Sequence, residues 1–470
     1  MPIDYQNSDE HIILNWFGMP TPGHMAPGAW KNPKFHHDNY NDIDYHVELA
    51  QRLERGKFDC MFWANVNGMY DVYGRADPDV DPLDKSLQHM AQVPKNDPLL
   101  YIPQQAYATE NIGFAITYAT TYHEPYRTAR QMTTLDHLTD GRIAWNVVTS
   151  YLEHAAKNMG LDERPEHDAR YDMADEYMEV LYKLWMESWE DDAVVKDVEN
   201  DMYTDPSKVH KINHESDNFS VPGPHLGEPS SQRVPVLFQA GQSPRGREFA
   251  AKHGEILFTI HPTPETANDY AEDMRSRAEA NGRDPSKLKI ITGITPIVGE
   301  TEQAAKERAE FAREHISIEG ALALIGGWTD IDFSDRGLDE SIQGEYDSGA
   351  ISGLVDAWIK SEPNKDWTVR DLAEFIGMGG FGYPIIGNPE QVADKMIEWI
   401  EDGGMDGFNI FPLYPPSQYE DFIDLVVPIL QERGYHKEEY ADGTMRERLL
   451  GGGPYPEPNH VANSFDIHQE

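Results

Sequence analysis

Eight short runs carry apolar residues on consecutive positions: HIILNWFG from 11, FDCMFWAN from 58, IGFAITYATTY from 112, GRIAWNVVTS from 141, VPVLFQAG from 234, EILFTI from 255, LKIITGITPIVG from 288 and GFNIFPL from 407. A strand with one wet face alternates apolar and polar residues, whereas a strand covered on both faces, as in a parallel sheet, does not. Between the runs lie segments of helical length, among them IDYHVELAQRLERG, HDARYDMADEYMEVLYKLWMES and PEQVADKMIEWIEDGG. Many of these close on Gly, which accepts the left-handed conformation of a helix stop. Eight strands alternating with helices through right-handed crossovers predict an α/β protein, a (β/α)8 TIM barrel. An open doubly wound sheet fits the same alternation and is the structural alternative.

Three stretches break the pattern, near 66–104, 187–233 and 317–385. They are expected as insertions at the carboxyl-terminal face of the strands, within one domain spanning 1–470. The third contains FIGMGGFGYPIIG, whose glycines predict a mobile loop hinging a lid. Its loose match to a nucleotide fingerprint lacks the strand before and the helix after that give such a match meaning. From about Gly434 the chain reads as an extended arm, packed on the barrel or on a partner subunit.

Asp and Glu number 82 against 39 Lys and Arg, a formal charge of −43 spread along the chain. That field repels nucleic acid and anionic membranes, and it suits a high-salt medium where screening removes the self-repulsion. The one cysteine, Cys60, sits in an apolar run and is expected as a core residue. No targeting segment stands at the start, and no run approaches the roughly 18 apolar residues that span a bilayer, so the chain is expected in the cytoplasm.

In a barrel, chemistry gathers where the strands end. The fourth run ends in Asn146, Thr149, Ser150 and Tyr151, and comparable positions are Asn15, Asn65, Thr117 and Gln239. After the fifth run, Ala240, Gly241, Gln242 and Ser243 lead into a helix whose cap is Ser243 and whose first residue is Pro244. Free N–H groups there, with Arg245 or Arg247 near, would hold a phosphate, and an ordinary capped helix would look the same. His167 and Tyr171 stand four residues apart, on one helix face, able to donate to the same oxyanion. His24 and Thr21 fall in the loop after the first run. No metal-ligand spacing occurs, His36 and His37 merely adjoin in a polar loop, and no carboxylate pair or nucleophile elbow points to hydrolysis.

The stretches TLDHLTDGRIAWNVVTS, DEYMEVLYKLWMESWEDDAVVKD, YTDPSKVHKINH and VPGPHLGEPSSQRVPVLFQAG resemble the bacterial-luciferase-like flavin monooxygenases of the nitrilotriacetate and dibenzothiophene-sulfone group. Within that group the likeness is greatest to the long-chain alkane monooxygenases, and it runs from about residue 10 to about 450. It implies a barrel that takes reduced FMN from a separate NAD(P)H-dependent flavin reductase and forms a C4a-peroxyflavin with O2. One oxygen atom then enters a small organic substrate, possibly a long-chain alkane, and the expected assembly is a homodimer or homotetramer. Asn65 and Thr117 are implied beside the flavin ring. Ser150, Tyr151, His167, Tyr171 and Ala240 to Ser243 are implied at the ribityl phosphate, and His24, Tyr70, Gln92 and Thr21 on the substrate side. Thr21 stands where the alkane enzymes carry Cys, Asn65 where relatives carry Asp, and Tyr151 where the alkane enzymes carry His, while Ala321 to Ala323 lack a nearby His. Two other readings share the barrel: a deazaflavin-dependent oxidoreductase working by hydride transfer, and a non-catalytic flavin-binding protein.

Overall fold

All eight runs become strands: β1 Ile13–Gly18, β2 Cys60–Trp63, β3 Gly113–Ala119, β4 Ile143–Val148, β5 Val236–Gln239, β6 Ile256–Thr259, β7 Lys289–Val298 and β8 Gly407–Ile410. The computed structural model describes residues 10–33, 37–342 and 352–465; His36 and the stretch 343–351 of the third insertion lie outside them. Each strand pairs in parallel with the next, and β8 pairs with β1, so the sheet closes. Closure removes the open doubly wound alternative.

Both faces of the strands are apolar for a visible reason. Ile13, Phe17, Phe62, Phe238, Phe258 and Ile291 fill the barrel interior. Leu14, Trp16, Met61, Trp63, Trp145 and Leu257 point outward into the layer shared with the helices. Cys60 is buried in the interior set, and burial raises its thiol pKa well above the ordinary value. Asn15 and Asn409 are register partners on β1 and β8 and bond to each other at 3.1 Å inside the barrel. Asn15 therefore belongs to the barrel core rather than to a strand end.

The first insertion leaves the carboxyl end of β2 and lies over the mouth, as expected. The third does so too: Ser317 N donates to Pro27 O, and a Cβ at Gly327 would fall 2.0 Å from the Tyr70 ring. Its glycine stretch is a short turn between a helix and a strand. The helix Val369–Gly377 ends there, Gly379 and Gly380 turn the chain at φ +114° and +69°, and Tyr383–Gly387 forms a further strand. That strand pairs with Ile294–Val298, because β7 is ten residues long and overshoots the barrel rim.

The second insertion departs from expectation. It follows a helix and enters β5 at its start, which places it at the opposite, amino-terminal end of the barrel. Its second hairpin lies against a helix, where His214 reaches Glu176 at 3.2 Å, and the segment after it does the same, where His225 reaches Thr133 at 3.0 Å. The carboxyl-terminal arm packs on its own barrel. Met445 and Leu450 join the interior cluster, and Arg446 bonds both oxygens of Glu255 at 2.8 Å and the carbonyls of Val234 and Pro235.

Candidate active site

The mouth is built outward from β3 and β4. Thr117 and Asn146 are register partners, and Asn146 Nδ2 donates to Thr117 Oγ1 at 3.0 Å, which leaves the buried Asn146 Oδ1 without a partner. Beyond β4 the chain turns at Ser150, whose φ of 57° is left-handed and unusual for a residue with a side chain. Arg170 and Arg164 hold this turn by donating to the carbonyls of Ser150 and Tyr151.

Two helices bring the next residues alongside. Helix α1, His167–Tyr182, presents His167 and Tyr171, and helix α2, Pro244–His253, is capped by Ser243, whose hydroxyl accepts from Gly246 N at 3.0 Å. His167 Nε2 lies 3.3 Å from Ser243 Oγ. A Cβ on Gly241 would come within 2.7 Å of the Tyr171 hydroxyl, and one on Gly246 within 2.9 Å, so bare backbone faces that phenol. Gln239 Oε1 accepts from Gly241 N at 2.6 Å and fixes the turn. The arginines differ from expectation. Arg245 pairs with Asp172 and Asp175, and Arg247 with Asp273, so both are drawn to carboxylates along the helices.

A second cluster forms under the third insertion. The Tyr70 hydroxyl donates to Gln92 Oε1 at 2.8 Å, lies 3.1 Å from the Tyr151 hydroxyl, and accepts from Trp328 Nε1 at 3.0 Å. Burial pushes Tyr70 up to about 12 and Tyr151 well above its ordinary value, so both phenols stay protonated. Tyr151 thus joins the Tyr70 and Gln92 cluster through its hydroxyl, while the carbonyl of its neighbour Ser150 is held by Arg170 at the start of helix α1. Gln92 adopts φ 54° and turns its amide nitrogen to the Met25 sulfur at 3.9 Å.

His24 and Thr21 stand in the loop after β1, both buried, with His24 Nδ1 and Thr21 Oγ1 unpartnered. The His24 ring lies 4.9 Å from that of Phe17. Burial, aided by the charge of Lys95, lowers its pKa to about 3. It is therefore a neutral imidazole, not a group titrating near neutrality. Asn65 follows β2 half-buried at the mouth. Among the described residues no group of His, Cys, Asp and Glu is placed to hold a metal ion.

Sequence reasoning missed Trp328 and Lys95. Lys95 donates to Gly68 O at 3.0 Å, and burial lowers its pKa to about 7. Both lie inside insertions, where no periodicity says which side chain turns inward.

Residues 19–407 match the luciferase-like monooxygenase family. The chain belongs to that family. A long-chain alkane monooxygenase of Geobacillus thermodenitrificans (strain NG80-2) is 46% identical across 97% of this chain and 98% of its own length. A dimethyl-sulfide monooxygenase of Hyphomicrobium sulfonivorans is 44% identical across 94% of this chain and 91% of its own. The crystal structure of a long-chain alkane monooxygenase superposes with a TM-score of 0.88 at 44% identity, covering 97% of this chain and all of that one. This luciferase-like chain is a flavin-dependent monooxygenase using reduced FMN and O2, and the deazaflavin reading is less favoured. Among the described residues no helix is long and apolar enough to cross a membrane.

Proposed function

We propose that reduced FMN lies across the strand mouths with its phosphate at Ser150, His167, Tyr171 and Ala240 to Ser243 and its ring beside Asn65, Thr117 and Asn146. The observation that carries this reading is the cradle at Gly241 and Gly246, where the Tyr171 hydroxyl, His167 and the Ser243 helix start face unfilled backbone. The unpartnered Asn146 Oδ1 supports a polar ring edge nearby. When bound, the reduced flavin supplies the electrons that activate O2.

The chain's own residues then have distinct tasks. The helix start and Tyr171 orient the phosphate end. The Tyr70 oxygen donates once and accepts twice, so it has no free site for substrate and works as a positioning residue. His24, a buried neutral imidazole, is the group placed to offer a proton to a reacting oxygen. The third insertion excludes water above them.

The substrate is small and apolar. Met25, Ile260, Tyr151, Trp328 and Phe381 border the mouth, and this supports a long-chain alkane or an organosulfur compound of the kinds named for the relatives. A separate NAD(P)H-dependent reductase supplies the reduced FMN. We read the enzyme as a cytoplasmic homodimer or homotetramer, with the charge of −43 as an adaptation to high salt. The test uses photoreduced FMN and 18O2 with an alkane, a dialkyl sulfide, a sulfone and an aminocarboxylate. One labelled oxygen per product of the alkane or sulfide is expected, with less product per flavin in His24→Ala. No labelled product from any compound would refute the reading.

A further inference from the structure

Behind β1, on the side away from the barrel interior, lies a second, small chamber of about 40 Å3. The outward indoles of Trp16 and Trp63 form its floor, the helix Ile43–Arg55 supplies His46, the helix Ser417–Asp421 supplies Tyr419, and the loop after β1 closes it with Thr21 and His24. Its walls are mostly apolar, yet five buried polar atoms on them have no partner: Trp16 Nε1, Thr21 Oγ1, His24 Nδ1, His46 Nδ1 and the Tyr419 hydroxyl. The Trp16 N–H faces the Tyr419 hydroxyl and draws its pKa back against burial.

The chemistry of these atoms selects what fills the space. His46 Nε2 lies 2.9 Å from the carbonyl of Tyr40, so that nitrogen carries the ring hydrogen and Nδ1 is an acceptor. Trp16 is a donor only, and the two hydroxyls can do either. An apolar occupant would leave all five unpaired, an anion would waste the acceptor, and a cation would face the indole donor. Water donates and accepts, and a cavity needs only about 10–15 Å3 to hold one molecule, so a chamber of about 40 Å3 takes a few.

We propose that this chamber is a water site that passes protons to His24 from outside the barrel. The inference rests on His24 serving the flavin site. A proton given up by one ring nitrogen is replaced at the other by a proton from chamber water, which recovers its own from solvent. The imidazole ends neutral, and one proton has moved inward. Tyr419 and His46 are positioning residues that orient the water, while burial, aided by the Lys95 charge, keeps His24 from storing the proton as a cation.

Two measurements test this. A crystal structure of the wild-type protein without flavin is expected to show ordered water on His24 Nδ1 and on Trp16 Nε1 or the Tyr419 hydroxyl; a dry chamber overturns the proposal. Tyr419→Phe keeps the ring and removes the hydroxyl. It is expected to lower kcat about fivefold, the equivalent of one ordinary hydrogen bond, and to raise the solvent deuterium isotope effect. KM and FMNH2 affinity stay unchanged. An unchanged kcat and isotope effect overturn the relay. If the wild-type enzyme neither binds FMNH2 nor makes product, the flavin reading has failed instead, and the water measurement still decides the chamber.

Discussion

Gln92 Oε1 accepts the Tyr70 proton at 2.8 Å, and this bond sets the direction of every other bond at the phenol. With its proton committed, Tyr70 must accept from Trp328, and Tyr151 must donate to it. This oxygen joins the third insertion to the first, beside the bonds of Gly74 and Ala76 N–H to Asp332 and of Lys85 to Glu319.

Trp328→Phe removes one donor and keeps the packing. A stability loss of about 1 kcal/mol is expected, seen as a small fall in Tm, with unchanged FMNH2 affinity and a lower product yield per flavin oxidised. Wild-type yield in this variant would sever the link between the lid helix and Tyr70.

Gly241→Ala puts a methyl group 2.7 Å from the Tyr171 hydroxyl, at the end of a rigid ring that cannot fold away. Weakening of FMNH2 binding by at least about tenfold is expected, the effect of about 1.4 kcal/mol, with an unchanged circular dichroism spectrum. Anaerobic fluorescence titration measures it, and wild-type affinity would remove the phosphate from this cradle.

Arg446→Met leaves Glu255 buried and alone beneath the barrel. Breaking such a pair costs about 3–5 kcal/mol, so denaturant midpoints should fall markedly. Arg446→Met combined with Glu255→Gln should recover part of the loss. A double variant no more stable than the single one would mean that the burial of charge is not the cause.

Acid should unfold the protein early. Burial lowers the pKa of His24 and His460 to about 3, and of His225 and His261 to about 4, from the ordinary histidine value of 6.5. The unfolded chain takes up these protons first, so stability is level above pH 7 and falls as pH drops from 6.5 toward 4. Each such histidine adds a slope of up to about 1.4 kcal/mol per pH unit. Equal urea midpoints at pH 5.0 and 7.5 would contradict these burials.

The barrel was legible because each strand is apolar on both faces, and Phe17 inward beside Trp16 outward shows why. Asn146, expected where the strand empties, lies inside β4 and pairs with Thr117, so the apolar run continues past it through Val147; the chain leaves the strand only before Ser150. The second insertion was misplaced because its composition does not tell a loop after a strand from one after a helix. The glycine turn at Gly379 and Gly380 hid a strand whose partner is the overshoot of β7, a relation set by length and closure. The pairing of Arg245 and Arg247 with carboxylates, and of Trp328 with Tyr70, depends on contacts across more than 20 residues that spacing cannot reveal.

The most direct measurement is an anaerobic titration of the wild-type enzyme with FMNH2, followed by mixing with O2 in a stopped-flow spectrometer. One FMNH2 bound per chain, with return of the oxidised flavin spectrum delayed relative to free FMNH2, is the expected result. No binding, or reoxidation at the rate of free flavin, would contradict a flavin monooxygenase site at these strand ends.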